Sequence, residues 1–284
     1  MPREDINYRM RINREYPAMN PTERRLCDFI MQNSGRIAHM TITEAAECCE
    51  VSEASFVRLA QKLGYRGFQA MKLRIAQDVS DPSLQIHEVA QPGDSVEQIV
   101  DKVFRSSQIA LRDTQKVLEQ ESVEQAIRAI TNCDRLVFYG VGGSSAVALD
   151  AQHKFLKIGY LPLAFCDENI QAMSAVVLRQ NDVAVGISHS GESRATLEAI
   201  RLAHRAGATV IAITNYSRSP ILKYSDIVLY TSSPETAMKS DALASRIAQL
   251  AIIDALFVGV AFEKQDQSAR NLQKTRCALD GKKL

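Results

Sequence analysis

A chain of 284 residues with a formal net charge of +1 is long enough for two domains, each able to bury a core, and its charge balance singles out no class of partner. No run approaches the roughly 18 unbroken apolar residues of a membrane span, and Met1 to Arg14 is charged throughout, unlike a signal peptide. The six cysteines (27, 48, 49, 133, 166 and 277) include no CxxC pair and no histidine at zinc-ligand spacing, so a soluble cytoplasmic protein with reduced thiols is expected, with no metal, cofactor or membrane partner.

From Met1 to about Asp78 the periodicity is helical and the segments are short. Asn20 followed by Pro21 supplies a cap and a first-turn proline, Leu26, Phe29 and Ile30 mark one apolar face, and Asn33, Ser34 and Gly35 end the helix. Thr41 and Glu44 fit a capping box ahead of Ile42, Ala45, Ala46 and Cys49, a two-turn helix. After a tight turn Ser52 can cap the next helix, where Phe56, Leu59, Ala60 and Leu63 repeat the spacing until Gly64. Two short helices joined this way form a helix-turn-helix pattern. With that apolar stripe facing inward, Ser52, Glu53, Ser55, Val57, Arg58 and Lys62 face outward. A valine suits a thymine methyl, an arginine suits guanine or phosphate, and serines suit phosphate. Between Ala54 and Gln77 stand Arg58, Lys62, Arg66, Lys72 and Arg74 without one acid, although residues 1 to 78 together carry twelve Lys and Arg against ten Asp and Glu. The footprint is a basic stripe, compatible with double-stranded DNA and also with a plain helical packing module.

"VSDPSLQIHEVAQPGD" (79 to 94), with two prolines and a glycine, reads as a linker. Beyond it, after a helical lead-in, the strands "RLVFYGVG", "YLPLAFC", "DVAVGIS", "ATVIAIT" and "DIVLYTS" alternate with amphipathic helices, which implies βαβ units and a parallel sheet. The expected fold class is α/β: an N-terminal all-α helix-turn-helix domain (1 to 78), a linker (79 to 93), and a C-terminal α/β/α domain (94 to 284) with a five-stranded parallel sheet.

Two strand ends carry chemistry. The first opens into Gly140, Gly142, Gly143, Ser144 and Ser145 before a helical stripe of Val147, Ala151 and Phe155. Glycines admit a ligand to the backbone, and a helix N-terminus offers unpaired N–H groups and positive partial charge, so an anion is the natural guest. The spacing nearly matches the dinucleotide fingerprint GxGxxG, with Ser145 in place of the third glycine, and Asp167 follows the second strand where a ribose-binding acid would stand; a nucleotide reading is therefore a rival. The third strand ends in Ser188, His189, Ser190, Gly191, Glu192 and Ser193. Hydroxyls at 188, 190 and 193 and amides from 191 to 193 suit a compact phosphomonoester better than a pyrophosphate, with Glu192 turned to water in the helix's first turn. Ordinary capping and turn chemistry is the plainer account of the same serines.

The loops at 140 to 144 (GxGxS-like) and 188 to 193 (S-x-S-G-x-[ST]) resemble the SIS, or sugar isomerase, domain. "VSEASFVRLAQKLGYRGFQAMKLRI" (51 to 75), "DAQHKFLKIGY" (150 to 160) and "SPETAMKSDALASRIAQLAIIDALFVGV" (233 to 260) resemble the RpiR-type bacterial regulators, over nearly the whole chain. That resemblance implies a SIS-like sheet domain and a dimeric or tetrameric repressor or activator of sugar-catabolic genes with a phosphosugar effector. It makes Ser144, Ser188, Ser190 and Ser193 ligand residues and Ser52, Ser55 and Arg58 DNA residues. The cradle as a whole is then Gly142, Gly143, Ser144, Ser145, Ser188, Ser190, Gly191 and Ser193.

Enzymes of the SIS superfamily move a proton with a carboxylate or histidine, for which Glu168, His153, His189 and Glu235 are the candidates; an attached DNA module favours sensing over turnover, so no catalytic residue is expected. Val96, Ile99, Val100, Val103, Phe104 and Leu111 stripe a long amphipathic helix from Asp94 to Leu118, and Leu243 to Phe262 is another. At least one should join subunits, because a lone helix-turn-helix reads one half-site and a palindromic operator needs a twin.

Overall fold

A computed structural model of the chain describes residues 7–37, 40–80, 93–233 and 243–280. Residues 81–92, most of the expected linker, and Glu235 lie outside the described residues. The chain divides into two compact units, one built mainly on residues up to Arg112 and the other on residues from Asp113 onward.

The first unit is all helical. Helices α1 (Tyr8–Glu15), α2 (Pro21–Gln32), α3 (Ser34–Ile37), α4 (Ile42–Cys48), α5 (Glu53–Lys62) and α6 (Phe68–Ser80) lead to the long α7 (Val96–Val117), which runs across the division. The capping box of Thr41 with Glu44 forms as expected, and the expected cap at Asn20 is a full capping box too, with Glu23 as its partner. Ser34 and Gly35 do not simply end α2: they belong to the single turn α3. Nor is the charged N-terminus merely a polar lead. Asn7 Oδ1 accepts from the Met10 N–H (2.9 Å), and Tyr8, Met10 and Ile12 are buried. The core gathers Tyr8, Ile12, Leu26, Ile30, Ile37, Phe56, Leu59, Met71 and Ile75, with Phe56 and Phe68 edge to face at 5.5 Å.

The turn between α4 and α5 is closed by backbone geometry. The Val51 N–H reaches back to the Ala46 carbonyl (3.0 Å) while Glu50 adopts φ +52°, the left-handed position usually held by glycine. At the far end of α5, Gly64 takes that position at φ +82° and the Tyr65 N–H reaches the Ala60 carbonyl (2.9 Å).

The second unit is an α/β/α sandwich. The helix α8 (Gln120–Asn132) precedes β1 (Leu136–Tyr139), α9 (Gly143–Lys157), β2 (Leu163–Phe165), α10 (Glu168–Ala175), β3 (Val183–Ile187), α11 (Arg194–Arg205), β4 (Thr209–Asn215), β5 (Ile227–Thr231), α12 (Leu243–Glu263) and α13 (Gln265–Cys277). All pairings are parallel and the order is β2-β1-β3-β4-β5. β1, β2, β3 and β5 fall inside the stretches expected from the sequence, and β4 runs one residue past its stretch, to Asn215.

Strand alternation divides the core. Phe138, Val183, Val185, Ile187, Ile211 and Ile213 pack on Ala126 and Ile130 of α8, Val147 and Phe155 of α9, and Ile252, Leu256 and Val260 of α12. On the opposite face Val137, Tyr139, Ala184, Val210 and Ala212 pack on Ala175 of α10 and Ala199, Ile200 and Ala203 of α11. The helix after β1 and the helix after β3 therefore lie on opposite faces. Neighbouring strands β1 and β3 (Tyr139 beside Gly186) form the switch point of a doubly wound sheet, whose crevice opens at the strands' carboxyl ends.

Residues Ala244–Glu263 pass a length and hydropathy test for a membrane span. Ala248, Ile252, Ile253, Leu256 and Val260 are nevertheless buried, so the apolarity of α12 reflects core packing. Ile247, Val258 and Phe262 are exposed, which leaves α12 more evenly apolar than the amphipathic pattern expected.

Gly186 lets α11 approach β3 closely: a Cβ built there would lie 2.5 Å from Ile200 Cγ1 and 2.7 Å from its Cδ1. Gly186→Val should therefore lose about 1–3 kcal/mol of stability by overpacking, read as a lower urea midpoint at unchanged slope.

Candidate functional site

The turn after β1 is shaped by three glycines, each for a different reason. A Cβ on Gly140 would lie 2.7 Å from the Ser144 carbonyl oxygen, so the chain closes on itself only with no side chain there. Gly142 sits at φ +55°, ψ −129°, open to an L side chain only under strain, and a Cβ there would meet nothing within 4 Å. The Ser144 N–H donates to the Val141 carbonyl and the Ser145 N–H to that of Gly142, both at 3.1 Å. Gly143 begins α9, and a Cβ on it would lie 3.5 Å from Arg246 Cδ. The amides of Gly142 and Gly143 donate to no carbonyl among the described residues. Ser145 spends its hydroxyl on the Gly142 carbonyl (2.6 Å), whereas Ser144, half-buried, keeps its own for another partner.

The turn after β3 brings its serines together in graded burial. Ser188 is buried; its Oγ accepts from the Gly191 N–H (3.1 Å) and donates to Ser193 Oγ (3.2 Å). It shapes the turn from within. Ser190 is exposed and accepts from the Glu192 N–H (3.2 Å). Gly191 stands at φ +66°, where a Cβ would strike Ser219 Oγ, and its carbonyl receives the Ile221 N–H (3.2 Å). Ser193 occupies the N-cap of α11 without bonding a helix amide, which leaves that first turn open. Glu192 is exposed one residue outside the cap, not within the helix's first turn as expected, because α11 starts at Arg194.

Gln171, which has no sequence signature, locks the first turn in place. Fully buried on α10, its Nε2 donates to the carbonyls of Gly140 (3.2 Å) and Phe165 (2.8 Å), tying the ends of β1 and β2 together. Asp167 is the N-cap of α10, its Oδ1 accepting from the Asn169 and Ile170 N–H groups, both at 3.0 Å. That gives the acid read as a ribose partner a capping role.

The proton-transfer candidates stand in different elements. His153 is exposed ten residues into α9, about 15 Å along the helix from its start at 1.5 Å per residue. Glu168 is exposed at the start of α10. His189 is half-buried in the second turn, where its carbonyl accepts from the Asn215 N–H (3.0 Å) and from Thr214 Oγ1 (3.3 Å).

In the helical unit, Phe56, Leu59, Ala60 and Leu63 are buried as the periodicity requires. Ser52 stands at the N-cap of α5 but makes no capping bond; its Oγ lies 3.0 Å from that of Ser55, which accepts from Arg58 (3.3 Å). These three form one polar ridge, with Ser52 and Arg58 exposed and Ser55 half-buried like its neighbour Val57. Glu53 turns away to accept from Thr43 Oγ1 (2.6 Å), bracing α5 against α4. Lys62 is engaged too, paired with Glu23 at 2.6 Å and reaching the Ala18 carbonyl at 3.4 Å. The ammonium beside it holds the Glu23 carboxyl below its ordinary pKa. Two arginines outside the expected set finish the motif: Arg25 donates to the Cys49 carbonyl (2.9 Å) at the end of α4, and Arg11 to those of Leu63 and Gly64 (both 3.3 Å) at the end of α5.

Comparison with known proteins matches both units. The rpiR-family helix-turn-helix domain matches residues 6–82 and the SIS domain matches residues 129–259. An HTH-type transcriptional regulator of Caldanaerobacter subterraneus is 36% identical over 94% of this chain and 95% of its own length. The HTH-type transcriptional regulator RpiR of Escherichia coli is 31% identical over 92% of this chain and 88% of its own. Among solved structures, the NanR protein of Vibrio vulnificus complexed with ManNAc-6P shares 25% identity and a TM-score of 0.64, covering 98% of this chain and 100% of that one. With both domain families in this order and such identity along nearly its full length, the chain belongs to the RpiR family of helix-turn-helix transcriptional regulators that carry a SIS domain.

Proposed function

We propose that the two turns at the switch point cradle a phosphosugar effector, and that its occupancy changes the affinity of the helix-turn-helix for DNA. The observation that carries this reading is the adjacency of two glycine- and serine-rich turns at the ends of neighbouring strands, each opening a helix whose first amides are uncapped. The complex of the NanR relative with ManNAc-6P supports the ligand class. Residues 1–78 act as the DNA-binding domain, 79–93 as the linker and 94–284 as the effector domain, in the cytoplasm where the operator is. Gly142, Gly143 and Ser144 serve the ligand from the first turn, with Ser145 holding that turn's shape. Ser190, Gly191 and Ser193 serve it from the second, with Ser188 as the internal strut. An effector acts only through unequal affinity for the DNA-competent and DNA-incompetent states.

The effector domain works as a sensor without turnover. Its relatives are named as transcriptional regulators, and His153 stands ten residues into α9, away from the first turn. On the DNA side, Ser52, Ser55, Val57 and Arg58 form the reading face; Glu53 braces α5, and Lys62, held by Glu23, reaches phosphate only by exchanging that partner. The protein reads a palindromic operator as a homodimer or homotetramer, supported by the apolar stripe Val96, Ile99, Val100, Val103, Phe104 and Leu111 exposed on α7.

A thermal-shift panel of phosphosugars, free sugars and NAD(P) tests the cradle. At a hundred times its Kd, one phosphosugar should add about 2.7 kcal/mol, a shift of several degrees that Ser190→Ala reduces. Stabilisation by NAD(P) alone would refute it. Operator binding measured across a salt series tests the reading face: Arg58→Ala should cost about 1–3 kcal/mol if it reads a base, or shallow the log–log salt slope by about 1 if it holds a phosphate. Unchanged binding would remove Arg58 from the interface. In a coupled assay the same phosphosugar should remain unisomerised, and turnover abolished by Glu168→Gln would overturn the sensor assignment.

A further inference from the structure

The two turns leave an electrostatic deficit. Apart from His189 they offer a phosphate hydroxyls and amides, and Glu192 adds a negative charge beside them. A phosphomonoester carries roughly two negative charges near neutral pH, and a guanidinium, charged on the donor side as well and able to bond in a bidentate way, adds to what neutral donors give such a dianion.

Arg246, in the first turn of α12, lies against the start of α9. Its Cδ and Nε are 3.5 and 3.9 Å from the position of a Cβ on Gly143. The side chain is half-buried, and among the described residues its guanidinium has neither an ion pair nor a hydrogen bond. An arginine stem packed at the mouth of an uncapped helix with its five donors unspent is poised for an anion. A second observation comes from Gln249, three residues further along the same face of α12. It is 1% exposed, and neither its Oε1 nor its Nε2 has a partner. A buried amide with no hydrogen bond made is costly to keep and marks a place where polar atoms are to arrive.

We infer that Arg246 is the cationic ligand of the phosphate, reaching across the first turn at Gly143, with Gln249 behind it completing the hydrogen-bond network of the loaded site. This rests on the cradle proposed above and deepens it by assigning the phosphate end of the effector to the α9 side.

Calorimetric titration of the full chain with glucose 6-phosphate, fructose 6-phosphate, ManNAc-6P and inorganic phosphate tests it, the tightest binder being carried to Arg246→Gln, Arg246→Lys, Arg194→Gln and Ser190→Ala. Arg246→Gln should weaken that ligand about ten- to hundredfold, the range for losing a charge-assisted bond, and Arg246→Lys should recover part of the loss. The melting midpoint without ligand should stay unchanged, since among the described residues the guanidinium has no partner. Should the glutamine variant melt early, the lysine variant carries the test by a smaller loss. Full affinity in Arg246→Gln with loss in Ser190→Ala overturns the role of Arg246 and leaves the cradle standing. Loss in Arg194→Gln alone assigns the cation to α11 and overturns it equally. A wild-type protein that binds none of the four compounds overturns the cradle itself and this inference with it.

Discussion

The parallel pairing of β1 with β3 is the constraint on which the effector domain depends. Because the chain leaves β1 for one face of the sheet and β3 for the other, no connection crosses the gap between their carboxyl ends. Each turn could be a routine strand-to-helix connection by itself; side by side they enclose one crevice. Gln171 fixes the position of the first turn through Gly140, and the closeness of α11 to β3 at Gly186 fixes the second. Both devices are apolar packing or fully buried hydrogen bonds, so the rims stay rigid while the exposed groups remain unspent.

The helical unit solves a similar problem by opposite means. Its two motif helices are short, seven and ten residues, and helices of that length have little stability of their own. Tertiary ties supply it: side-chain caps at the start of α4, arginine donors at the carbonyl ends of both helices, and Glu53 bridging to Thr43. The polar ridge of Ser52, Ser55 and Arg58 thereby stands on a helix whose two ends are held by residues distant in sequence.

Local rules made much of this legible. Five strands announced themselves as apolar runs, and the cap at Asn20 and the capping box at Thr41 followed from residue type and spacing alone. The buried stripe of α5 did likewise. What stayed hidden depends on distance along the chain. Nothing in the sequence around Gln171 distinguishes it from a surface glutamine, since its role comes from the carbonyls of Gly140 and Phe165. Lys62 read as free because its partner Glu23 lies 39 residues away. Asp167 fitted a ribose-binding position until the start of α10 claimed it as a cap. The charge of the N-terminal segment masked α1, whose short apolar set of Tyr8, Met10 and Ile12 matters only against the rest of the core.

The apolar character of α12 has a consequence for how the chain is made. The helical core closes with Ile75 of α6, so that unit can fold while the rest is still being synthesised. The sheet's α8–α9 face is fully covered only when Ile252, Leu256 and Val260, which follow every strand in the chain, arrive. Emerging vectorially, the effector domain must hold its five strands with that face covered by α8 and α9 alone until α12 leaves the ribosome, a window in which chaperones, or failing them aggregation, compete for the nascent protein.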